Sequence, residues 1–169
     1  ERIFEAVQEN NVKLFVGHVL RFWPEYEVIK SYSEKELLQD IDIVHAQRLG
    51  QLPKWSNWFK QPEKSGGALF DLHIHDIDFV TYLLGEVDSV YSVGTRNEYG
   101  AWDHVMTTLT FKNNRVAFVE ASQRMPHHYP FTMSFRAQNQ ENQLELSIRA
   151  GENIENIDGD KNQLLYYAN

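Results

Sequence analysis

The chain reads as an α+β domain, a mostly antiparallel open sheet with helices on one face, preceded by a short piece of α/β structure. Three observations predict this. Apolar residues recur with helical period up to Gly85 and with period 2 beyond it. The strands after Gly85 follow one another through short polar turns, which suits antiparallel pairing. With 169 residues, 42% hydrophobic and 13% aromatic, the chain has material for one core. No apolar run reaches the roughly 18 residues of a membrane-spanning helix, and the start lacks the basic-then-apolar layout of a signal peptide. Cysteine is absent, so there is no disulfide framework or thiolate metal site, and a cytoplasmic location is expected. The net charge of −8 comes with no basic patch, which argues against a nucleic-acid partner.

In order, Ile3, Phe4 and Val7 mark a helix over residues 2–10, which Asn10-Asn11 can end in left-handed geometry. Val12 to Val16 reads as a short apolar strand closed by Gly17. A helix running into a buried strand looks like the last unit of an α/β domain. Pro24 suits the first turn of a helix over Glu25 to Tyr32. Ser33 to Glu36 has capping-box spacing, predicting a short turn or helix through Leu38. Ile41 to Leu49 is a strand, ended by a Gly50-Gln51-Leu52-Pro53 break, and Lys54 to Lys64 is a Trp-rich loop. After Gly85, strands are expected at Val87–Thr95, His104–Phe111 and Arg115–Arg124, the last two a hairpin turning on Asn113-Asn114. Alternation returns around Phe131 to Ala137 and Leu144 to Ile148, and Asn162 to Tyr167 is a last strand.

Ser65 to Gly85 carries the chemistry. Asp71, His73, His75, Asp76 and Asp78 fall within eight residues among apolar neighbours. Read as one helix, the segment has Ser65 as N-cap, a Gly pair for a tight approach and Gly85 as C-terminal stop. At 100° per residue, Asp71, His75, Asp78 and Tyr82 lie within about 40° of one line. A helix so apolar is buried, so its polar line faces a partner or a cavity.

The segments Val16 to Pro24 (VGHVLRFWP), Trp58 to Glu63 (WFKQPE) and Ser65 to Asp78 (SGGALFDLHIHDID) occur in that order. Together they closely resemble the second half of the Gfo/Idh/MocA oxidoreductases, the glucose-fructose oxidoreductase and inositol dehydrogenase family. The resemblance runs from about Arg2 to about Ile148. It implies a two-domain NAD(P)-dependent enzyme whose N-terminal Rossmann domain holds the nicotinamide and whose C-terminal domain carries substrate and a large open sheet. On that basis residues 1–20 are the last helix and strand of the Rossmann domain, and 21–169 the C-terminal substrate-binding and oligomerisation domain. The motif carries the family's catalytic Asp and His onto Asp71 and His75. The sequence holds no Gly-x-Gly-x-x-Gly after a strand and no Glu-Lys-Pro turn with the family's lysine. The chain therefore reads as a fragment, inactive without its Rossmann half and binding no cofactor itself, NAD or NADP being held by the full-length protein. His73 stands where the family often has Gly, Glu36 to Asp40 lacks a customary Gly, and polar residues replace a Gly pair within Gln138 to Gln143.

Taking hydride from a secondary alcohol requires removal of the hydroxyl proton, and imidazole suits that task. His75 is the candidate base, with Asp71 fixing its tautomer or binding a substrate hydroxyl. The alternative is that Asp71 serves the helix N-terminus and His75 is a satisfied core residue. Asp78 either orients His75 or pairs with a cation. Arg21, at a strand end where α/β enzymes build clefts, is a candidate substrate contact or a structural ion pair. Trp55 and Trp58 could stack on a sugar ring or pack as loop aromatics against the sheet. Arg48 is a weaker candidate, and Asp76 is read as a solvated or interface carboxylate. His73-x-His75 superficially matches a metal hydrolase, but on a helix these rings diverge by about 200°, so no metal site is assigned. The expected reaction interconverts a secondary alcohol and a ketone on a sugar, cyclitol or related polyol. The competing reading is a non-catalytic assembly module, since the sheet's less apolar face could pair with another copy in a homo-oligomer.

Overall fold

The structure is a computed structural model that describes residues 2–35 and 38–150, together with the backbone of 163–168. Helix α1 (Arg2–Glu9) ends at Asn11, which takes the left-handed conformation at φ 48°. Val12 to Val16, predicted as a strand, form none: no described strand pairs with them, and Phe15 is 85% exposed. A 3-10 turn at Val19–Phe22 leads into α2 (Pro24–Glu34), with Pro24 in the first turn as expected. The predicted cap at Ser33 is corrected. Ser33 lies in the last turn of α2, and its hydroxyl bonds back to the Lys30 carbonyl, a competing use of the same side chain. Glu36 and Leu37, the rest of that prediction, lie outside the described residues. Where the expected Gly is missing before the first strand, Asp40 takes the left-handed turn at φ 54°.

Strand β1 (Ile43–Leu49) is followed by a loop holding a 3-10 turn (Asn57–Lys60) and the one-turn helix α3 (Pro62–Ser65). Ser65 is thus the end of α3, not the N-cap of the long helix. Gly66 and Gly67 reverse the chain at φ 69° and 65°. At Gly67 a Cβ would sit 2.5 Å from the Trp102 carbonyl oxygen, so the residue is required by close backbone approach as well as by its dihedral. The predicted single helix is two pieces, a wide π turn at Leu69–His73 and then α4 (Ile74–Leu84), stopped by Gly85 at φ 95°.

Strands β2 (Val87–Arg96), β3 (Trp102–Phe111), β4 (Val116–Ser122), β5 (Thr132–Gln138), β6 (Asn142–Arg149) and β7 (Gln163–Ala168) complete the chain. The seven strands form one open sheet in the order β2-β3-β4-β1-β5-β6-β7. Among the described residues β1 pairs with β4 in parallel, and the other strand pairings are antiparallel. The β3–β4 hairpin turns at Asn114, φ 63°. Period-2 burial sends Val44, Ala46, Val105, Leu109, Ala117, Val119, Met133, Phe135, Leu144 and Leu146 to the face covered by α2 and α4. An aromatic wedge locks the two layers: Phe79 of α4 meets Tyr26 of α2 at 4.8 Å and Phe135 of β5 at 5.4 Å, both edge-on. The other face is open and carries Tyr91, Val93, Met106 and Phe118 in exposed positions beside a His104–Glu120 pair at 3.2 Å. Among the described residues no helix is long and apolar enough to cross a membrane.

Candidate functional site

The π turn sets the site. Such bulges insert a residue into a helix and turn the local side chains away from the regular face. Here the turn brings Asp71 toward the end of β4, where the buried Gln123 donates from Nε2 to Asp71 Oδ2 at 2.6 Å. Burial pushes the Asp71 carboxyl above its ordinary range, and the Gln123 hydrogen bond and the Arg48 cation pull it back. His75 follows at the first turn of α4, half-buried. Its pKa lies below the ordinary value through burial first and the Arg48 charge second, opposed by Asp76 and by a hydrogen bond to the Asp71 backbone. His18 also works against protonation of His75. The ring is therefore neutral near pH 7, a state that can accept a proton.

Beneath these two lies an ion pair that sequence reasoning missed. Asp76, read as a solvated or interface carboxylate, is instead 1% exposed inside the fold and takes a two-point contact from Arg48, Nε to Oδ2 at 3.0 Å and Nη2 to Oδ1 at 3.1 Å. Arg48 also points Nη1 at the Met133 sulfur. Burial works against the guanidinium charge, but Asp76 more than offsets it, so Arg48 stays charged. The buried Tyr26 hydroxyl lies by this pair without a well-formed hydrogen bond, its pKa raised by burial and by Asp76.

The other predicted residues separate into local groups. Asp78 joins Arg21 in a second two-point contact, Nη2 to Oδ1 at 2.6 Å and Nε to Oδ2 at 2.8 Å, with His18 Nδ1 at 3.5 Å. Of the two fates predicted for Asp78, cation pairing is the one formed. The Arg21 guanidinium also lies 4.6 Å from the centre of the Tyr82 ring. Trp58 packs edge-on against Phe59 at 5.1 Å, and Phe59 in turn against Trp55 at 5.3 Å, making the loop an aromatic cluster of its own. His73 turns away from His75 into the sheet, where Nε2 meets Thr107 Oγ1 at 2.8 Å and Thr107 meets Ser92 at 2.8 Å. The two rings therefore do not converge as metal ligands would.

Arg48 and Gln123 carried a signal that went unused. Arg48 has the inward parity of Val44 and Ala46, and Gln123 extends the inward series Ala117, Val119, Ala121. A polar residue on the core parity of a strand demands a buried partner.

Comparison with known proteins agrees with this architecture. Residues 26–151 match the profile of the GFO/IDH/MocA C-terminal domain. An uncharacterized oxidoreductase of Streptococcus pneumoniae is 30% identical over 137 residues, 74% of this chain and 37% of that protein. The scyllo-inositol 2-dehydrogenase (NAD(+)) of Bacillus subtilis is 32% identical over 131 residues, 73% of this chain and 37% of its own length. The chain thus spans a little over a third of these relatives. In structure, the WlbA dehydrogenase from Bordetella pertussis, in complex with NADH and UDP-GlcNAcA, superposes with a TM-score of 0.74 at 20% identity, covering 98% of this chain and 50% of that one.

Proposed function

Since the chain belongs to the Gfo/Idh/MocA oxidoreductase family through its C-terminal domain, we propose that it is the substrate side of an NAD(P)-dependent enzyme interconverting a secondary alcohol and a ketone on a sugar, cyclitol or related polyol. The observation that carries this reading is the placement of a half-buried His75 in the first turn of α4, one turn after Asp71 of the π turn. His75 takes the hydroxyl proton as the carbinol carbon loses hydride, and Asp71 accepts a hydrogen bond that orients a substrate hydroxyl. Arg21 uses two of its donors on Asp78 and keeps others for a substrate oxygen, and exposed Trp58 offers a face for an apolar sugar surface. Nicotinamide, when bound, supplies the hydride acceptor.

The space beside Gly66 and Gly67 is filled by Phe70, Ala101 and Trp102, so these glycines admit the protein's own atoms rather than a phosphate. The proposal therefore assigns the nucleotide, and residues 1–20 with it, to a Rossmann domain. Its support in this chain is that α1 buries none of its residues and that Phe15 and Val16 lie exposed. The open sheet face with Tyr91, Val93, Met106 and Phe118 supports homo-oligomerisation. The same face favours the second reading, a domain kept only for assembly. Measuring NAD- or NADP-dependent oxidation of inositols and aldoses by the complete protein decides between them. On the enzyme reading, His75→Ala lowers kcat by at least about a hundredfold without unfolding. Near-normal turnover in that variant rules out His75 as the base.

A further inference from the structure

Gln123 departs from what stability alone would select. It is 4% exposed, its Nε2 donates to Asp71 at 2.6 Å, and its Oε1 is buried with no partner among the described residues. A buried acceptor left unpaired is a net cost that an apolar side chain of the same size would avoid. Its backbone is pinned where β4 ends: the Gln123 N–H donates to the Asp103 carbonyl at 2.7 Å, and the neighbouring Arg124 N–H donates to Ser122 Oγ at 3.1 Å. A rigid strand end thus aims one amide at one carboxylate. We infer that Gln123 is a positioning residue for the polyol reaction, clamping one oxygen of Asp71 so that the other faces substrate. This rests on the function proposed above.

The charge that acts on the Asp71 carboxylate is Arg48 on β1. On β3, Asp103 accepts the Gln123 N–H at its backbone carbonyl and pairs through its carboxylate with Arg124 at 3.7 Å, and on α4 His75 follows Asp71 by one turn. Gln123 donates a side-chain hydrogen bond directly to that carboxylate. An amide N–H donated to a carboxylate favours its ionised form.

The test uses the complete protein and two readouts. Carboxyl carbon NMR, with the Asp71 signal identified by its loss in Asp71→Asn, follows titration of that group without any substrate. The pH profile of kcat/KM for an inositol or aldose with NAD or NADP follows its role in turnover. In Gln123→Met, which keeps volume and removes the donor, the Asp71 midpoint and the acid limb move together to higher pH. At pH 7, kcat/KM falls on the order of tenfold. In Gln123→Glu the two carboxyls titrate as a coupled pair. If both variants leave the Asp71 midpoint in place and change only thermal stability, the inference is overturned. Should the wild-type protein oxidise none of these alcohols, the proposed function fails while the titration still decides whether Gln123 governs Asp71.

Discussion

Two aspartates two residues apart on α4 meet two arginines through the same two-point geometry, and their surroundings make them different devices. Asp76 and Arg48 are sealed between helix and sheet, at 1% and 3% side-chain exposure. Arg21 and Asp78 sit nearer the rim, the arginine 38% exposed and the aspartate 10%. In the buried pair neither ion can be re-solvated if its partner is lost, and the surrounding low dielectric lengthens the reach of the charge. At the rim, water and salt replace a missing partner at little cost. The comparison separates what holds the site from what borders it. The inner pair fixes β1 to α4 and adds its charges to the effect of burial at Asp71 and His75, while the outer pair ties the segment before α2 to the same helix.

The largest effect follows from breaking the inner pair. Arg48→Met or Asp76→Leu alone leaves an uncompensated buried ion and should cost about 3–5 kcal/mol in urea unfolding. The double variant, apolar on both sides, should recover most of that loss. If each single change costs less than about 1 kcal/mol, the pair is not sealed and the contrast with Asp78 collapses.

How much of this was legible in the sequence follows the range of the forces. Strands β1 to β7 and helices α1, α2 and α4 could be read because each is written in a local period. The segment Val12 to Val16 misled because its apolar run states only that it wants burial, and among the described residues nothing buries it. The π turn was invisible, since Gly66, Gly67 and the close approach of Trp102 create it and the 100° rule assumes it away. Arg21 with Asp78, 57 residues apart, and Gln123 with Asp71, 52 apart, meet only through the fold. Their signal was parity on a strand or a line on a helix, and neither names a partner.

A middle-sized effect comes from the histidines on either side of the inner pair. Burial lowers the pKa of both His73 and His75 from the ordinary 6.5, with Asp76 opposing in each case. The unfolded chain therefore binds protons that the folded one refuses. Stability is fully present above pH 6.5 and falls as the pH drops through 6.5 toward the folded values. Asp71, whose pKa is raised, acts with the opposite sign, gaining stability as pH falls through its raised value toward the unfolded 3.8. Urea midpoints between pH 5 and 8 should slope upward with pH, and His73→Gln should flatten the slope while keeping a polar partner for Thr107. An unchanged slope would mean that His73 titrates as freely as an exposed ring.

The smallest effect, and the sharpest contrast, is at the rim. Arg21→Ala removes both bonds to Asp78 and one of the two cations over Tyr82, leaving Lys30 at 4.6 Å. Because the guanidinium is already partly hydrated, stability should drop by at most about 1 kcal/mol, shrinking further at high salt. Asp78 then retains His18 at 3.5 Å as a neighbour. If Arg21 also touches substrate, KM rises in this variant while the unfolding midpoint barely moves. Arg48→Met behaves the other way, losing stability before any change in KM can be read. A loss of several kcal/mol on Arg21→Ala would show that the outer pair is as enclosed as the inner one, and that the helix holds two buried ion pairs instead of one.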